Sequence, residues 1–159
     1  MKKYEFTGET KQVGFLGNIT VKRIRATMEF GVIKIGDLGG WIEKEENLSH
    51  EGDAWVCGNA EVYGNAKVYG NAWVCGNAEV FSISHVLVIG PIGSRNDFTT
   101  FFRDKDDEIT IKCGCFLGKI DKFLEKVCET HGDSKHAIVY RTAVEIAKQQ
   151  IDLSEEKQL

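Results

Sequence analysis

The chain has 159 residues, of which 28% are charged and 42% hydrophobic, and it carries a formal net charge of −4. That length and balance suit one globular domain with or without an appendage, and they exclude a collagen-like or disordered chain. The negative charge argues against a general nucleic-acid binder, which presents a basic face, and no apolar run approaches the roughly 18–20 residues that span a bilayer.

At the start, MKKYEFTGE has two lysines but no apolar stretch behind them, so it does not read as a signal peptide. Tyr4–Thr7 and Ile19–Phe30 read as strands, and residues 1–31 form an expected N-terminal β cap. Residues 32–49 are expected as an irregular first coil, bent at Gly36, Gly39 and Gly40, with Leu48 facing in. From Gly52 the chain falls into sixes: GDAWVC, GNAEVY, GNAKVY, GNAWVC, GNAEVF. The octapeptide WVCGNAEV occurs identically at Trp55–Val62 and at Trp73–Val80, three periods apart. A period of six marks a hexapeptide β-helix, in which three short strands close one triangular coil and each residue stacks on its equivalent a coil later. Val56, Val62, Val68, Val74 and Val80 should point inward. Ala60, Ala66, Ala72 and Ala78 fit the narrow corners, and Gly-Asn pairs make the turns.

This pattern resembles the hexapeptide-repeat superfamily, and the resemblance implies a short left-handed parallel β-helix over residues 32–93. The run IRATMEFGVIKIGDLGGWIEKEENLS, the GNA repeats and the segment KCGCFLGKIDKFLEKVCETHGDSKHA together resemble small phage and prophage proteins of this kind. Those are labelled transferases or have no assigned function, so the resemblance speaks to fold more than to chemistry. Homotrimers are usual in the superfamily, which makes a homo-oligomer, with a trimer favoured, the expected assembly.

After Pro91 the rhythm stops, and residues 94–159 are expected as a C-terminal ββαα unit. Asp97–Arg103 and Glu108–Phe116 read as a hairpin turning at residues 104–107, with Ile109, Ile111, Cys113 and Cys115 on one face. A helix carrying Ile120, Phe123, Leu124, Val127 and Cys128 follows and closes at Gly132. A last helix carries Tyr140, Val144, Ala147 and Ile151 on one stripe.

The candidate sites each have two readings. Trp55 and Trp73 flank inward valines and should face out, as should Tyr63 and Tyr69. They form either a binding face or a surface buried under the C-terminal unit or a second copy. Cys57 and Cys75 lie close enough to bridge, although five cysteines without secretory context favour free thiols in a reducing cytoplasm. Cys113, Cys115, Cys128 and His131 form either a zinc set or ordinary core, and Cys-x-Cys is not the usual zinc knuckle. His85 is the weak catalytic candidate: the resemblance implies a general-base histidine, while its place in a degenerate repeat reads as an outward solvated or interface residue. Arg23 and Arg25 share a strand face beside Lys22 and near Lys34. They either bind a phosphate or carboxylate or pair with Glu29 and Glu43–Glu46.

No catalytic set emerges, and no cofactor is expected. The expected function is a non-catalytic binding or interaction protein of phage type, acting in the cytoplasm on a host protein or a small anionic ligand such as a nucleotide signal. The alternative is an acyltransferase of the hexapeptide class using a coenzyme A thioester.

Overall fold

The computed structural model describes residues 1–157. Within the repeat, Gly52, Gly58, Gly64, Gly70 and Gly76 all take φ between 60° and 69°. A Cβ disfavours that region, so each hexapeptide turns after a very short extended stretch. Only two residues per stretch pair regularly: β4 (Trp55–Val56), β5 (Glu61–Val62), β6 (Trp73–Val74) and β7 (Glu79–Val80). β4 pairs with β6 and β5 with β7, both parallel, matching Trp55 to Trp73 and Glu61 to Glu79. The five valines and four alanines assigned inward are all buried.

Longer strands lie on either side of these ladders. β1 (Tyr4–Val13) and β2 (Ile19–Ala26) form an antiparallel pair, and β3 (Leu38–Ile42) runs antiparallel to β2 and parallel to β5. The result is a five-stranded sheet in the order β1-β2-β3-β5-β7. The close approach of β3 depends on Gly39, where a Cβ would fall 2.6 Å from the Ile24 side chain and 2.8 Å from Trp55. Lys3 is buried beneath this sheet. Its ammonium donates to the Gly52 and Ala54 carbonyls at 3.2 and 2.5 Å, and burial pulls its pKa down to about 8.

Downstream, β8 (Val86–Ile92), β9 (Asp97–Arg103), β10 (Ile109–Cys113) and β11 (Phe116–Lys119) form an antiparallel sheet in the order β11-β10-β9-β8. Helices α1 (Ile120–His131) and α2 (Lys135–Gln150) cover one face. Phe101, Ile111, Phe123, Val127, Val144 and Ala147 are the centre of that core. Gly132 ends α1 at φ 57°, its N–H donating to the Cys128 carbonyl at 2.9 Å.

Three expectations need correction. The chain does not form a continuous left-handed parallel β-helix. Its strands lie in three separate sheets, most of the pairing is antiparallel, and the parallel ladders are two residues long. The physical reason is strand length. Each hexapeptide contributes only two regularly paired residues, and β3, itself antiparallel to β2, continues the β5–β7 ladder, so that side joins the antiparallel sheet of β1–β3. The unit expected as ββαα has four strands, because β8 pairs with β9 and β11 returns along β10. Finally, Cys113 and Cys115 do not share an apolar face. The chain reverses at Gly114 (φ 55°), leaving Cys113 half-buried and Cys115 exposed, and Cys128 is exposed on α1.

Candidate binding cleft

The reversal at Gly114 stands between two cavities, both of which are lined by Asp97, Gly114 and Cys115. The first, of about 320 Å³, lies where the β10–β11 turn meets the two helices. Its wall is aromatic. Phe116 packs on Phe123 with ring centres 5.4 Å apart, Phe123 meets Tyr140 edge-on at 5.6 Å, and His131 stacks on Tyr140 at 5.7 Å. A Cβ on Gly93 would collide with the Tyr140 hydroxyl, so glycine there admits the tyrosine. Burial pushes the Tyr140 pKa up to about 12, helped by Cys113 and Asp97 and opposed by Arg95. The Thr99 hydroxyl donates to the Cys113 sulfur at 3.3 Å. Arg95 and Lys126 line the cavity and form no ion pair among the described residues. An aromatic wall with two exposed cations, one histidine and one carboxylate can stack a flat ring and hold an anionic group beside it.

The second cavity, about 410 Å³, lies between the repeat and the same turn. Trp73 and Phe98 line it, with Asp53, Asp97 and Asn71 as polar neighbours. Trp73 is held at both ends: its backbone N–H donates to the Thr100 hydroxyl at 3.0 Å, and its indole N–H donates to the Asp53 carbonyl at 2.9 Å.

The structure brings only one of the residues proposed for a binding face into this cleft, Trp73. Trp55 is not exposed but fully buried, in edge contact with Tyr4 and Phe30. Tyr63 is also buried, stacked on Phe81 at 5.4 Å, because β1 and β2 cover that side. Tyr69 is exposed on a different face, beside Ile83, Val86 and Val88. Arg25 is held by Glu5 at 2.7 Å. Arg23 donates to the Gly39 carbonyl and lies over the Trp41 ring, so the two arginines form no shared anion site.

His85 is wholly enclosed, not outward. Its Nδ1 accepts from the Phe81 N–H at 3.1 Å and its Nε2 lies 3.2 Å from a Glu155 carboxylate oxygen. Burial, then the Arg103 guanidinium, whose Nη1 lies 3.2 Å from the same Nε2, lower its pKa against the pull of Glu155, which favours the neutral ring. Both ring nitrogens are occupied, so this histidine pins residue 155 to the repeat and is not free to take a substrate proton. Cys113 and His131 line the same cavity, but no group of three or more His, Cys, Asp or Glu among the described residues has the arrangement of a metal site. Cys57 and Cys75, expected reduced, are joined as a disulfide across the stacked octapeptides.

Sequence reasoning missed Arg95, Lys126 and Phe98 as cleft residues. Each comes from a different element, and no spacing within the chain links them. Glu61 and Glu79 were missed as well. They are buried at outward positions of the repeat, Glu61 paired with Lys11 and Lys105 and Glu79 with Lys157. No protein-family model matches this sequence, and no curated protein matches it significantly. No helix among the described residues is long and apolar enough to cross a membrane.

Proposed function

We propose that the protein is a non-catalytic binding protein whose ligand is small, aromatic and anionic, of the nucleotide class. The carrying observation is the 320 Å³ cavity, which combines the rings of Phe116, Phe123 and Tyr140 with the cations Arg95 and Lys126, neither of them in an ion pair among the described residues. Its volume is at the lower end for small-molecule sites and suits one base with its phosphate. A phage-type accessory role, sequestering a nucleotide signal of the host, is the biological form of this reading and rests on the sequence resemblance. A homotrimer and a cytoplasmic setting belong to the same proposal. The three free thiols support the cytoplasmic setting, while the Cys57–Cys75 bond speaks against it. The acyltransferase alternative loses its general base with the enclosure of His85.

The test is calorimetric titration with adenosine and guanosine monophosphates. The expected result is saturable binding that Arg95→Ala and Lys126→Ala each weaken about tenfold, the loss of one charge-assisted contact. Binding unaffected by either substitution, or none with any nucleotide, overturns the reading.

A further inference from the structure

The neighbouring 410 Å³ cavity has the opposite chemistry. Its aromatic groups are Trp73 and Phe98, and its carboxylates are Asp53 and Asp97, neither of them in an ion pair among the described residues. The one cation in the lining, Lys112, donates its ammonium to the Gly114 carbonyl and is thereby held along the turn. The indole N–H is tied to the Asp53 carbonyl and the Trp73 backbone N–H to the Thr100 hydroxyl, so the side chain loses little freedom when a ligand seats on it.

We propose that this cavity is a binding site for an organic cation, an alkylammonium or guanidinium group. A ring face attracts a cation through its quadrupole, tryptophan most strongly. Asp53, which also acts at longer range on the Lys3 ammonium, and Asp97, which accepts from the Phe98 N–H, supply the countercharge at the same place. Inorganic cations fit less well: among the described residues no three His, Cys, Asp or Glu side chains are grouped to replace a hydration shell, whereas an organic cation is weakly hydrated and gains from the rings. The site stands on its own residues and does not require the anion site beyond Asp97. Because the two cavities share the wall made by Asp97, Gly114 and Cys115, a ligand with an anionic aromatic end and a cationic end spans both.

The experiment is a titration of the whole protein with agmatine, which carries one guanidinium and one amine, with n-butanol as the uncharged control. The readout is the indole N–H resonance of Trp73, assigned from Trp73→Phe. A saturable shift with agmatine and none with butanol is expected. Asp53→Asn and Asp97→Asn should each weaken binding several-fold, and Trp73→Leu about tenfold, from loss of the cation–ring attraction. Both aspartate replacements are nearly isosteric, so folding is retained if Trp73→Leu proves unstable. Arg95→Ala should leave agmatine binding no weaker, which separates this site from the nucleotide reading. An absent shift, or one indifferent to the double Asp53→Asn, Asp97→Asn variant, overturns the proposal even where nucleotides bind.

Discussion

The two copies of WVCGNAEV have the same sequence and occupy the same register, yet their surroundings differ at almost every outward position. Trp55 is sealed under Tyr4 and Phe30, whereas Trp73 is partly open and lines the larger cavity. Glu61 meets two lysines, one from β1 and one from the β9–β10 turn, and Glu79 meets one. The inward valines and alanines are equivalent in both copies, fully or almost fully buried. A repeat therefore dictates what faces its own interior. What faces outward is decided by whatever the rest of the chain lays over each copy: Tyr4, Phe30 and Lys11 over the first, with Lys105 reaching its Glu61, and β9 against the second.

Substitutions made in parallel in the two copies measure that asymmetry. Trp55→Ala should cost about 3–5 kcal/mol, the range for emptying a core aromatic site, and Trp73→Ala about 1–2, since its site is already partly hydrated. Urea unfolding midpoints report both, and equal losses would erase the distinction. The disulfide joins the copies, so Cys57→Ser and Cys75→Ser should be equivalent to each other and to the double variant. Closing a loop of this length is worth about 3 kcal/mol, and a reductant should reproduce the loss in the native protein. Next in size come the glutamates. Glu61→Gln should cost about 1–2 kcal/mol and Glu79→Gln less, because the lysines are about a third exposed and water screens each pair. Reversal of that order would show that the number of partners does not decide the effect.

The smallest expected effect is one of pH and concerns His85, on the second copy's side. Its folded pKa lies below the ordinary 6.5. Between those two values the unfolded chain binds the proton and the folded chain does not, so stability falls as pH drops below about 6.5 and is level above it. His85→Asn should flatten that part of a melting-temperature profile. An unchanged slope would assign it to other groups.

Much of this was legible from residue type. Valine every sixth position, alanine at the corners and glycine at positive φ follow from period and sterics alone, and they are found as expected. The helix boundary at Gly132 follows from the same rules. The architecture was less legible. Two residues per rung make too weak a ladder to compete with ten-residue β1 or seven-residue β9, and nothing in the hexapeptides states how long their neighbours' strands are. The cleft was hardest to read. Arg95, Lys126, Tyr140 and Trp73 belong to a loop, two helices and a repeat strand, and only the packing of the antiparallel sheet against both brings them together. Alternation correctly placed the tryptophans on the outer side of their strands, but it carries no information about what covers that side.

The bond between Cys57 and Cys75 also has a mechanical consequence. The residues it encloses are stacked layers of one structure, with a sequence separation of 18 between the sulfurs. When the chain is pulled from its ends, force bypasses that segment through the covalent cross-link. Reduction releases roughly 60 Å of hidden contour length, at about 3.4 Å per residue. The extensibility of a single molecule therefore reports directly on the redox state of its centre.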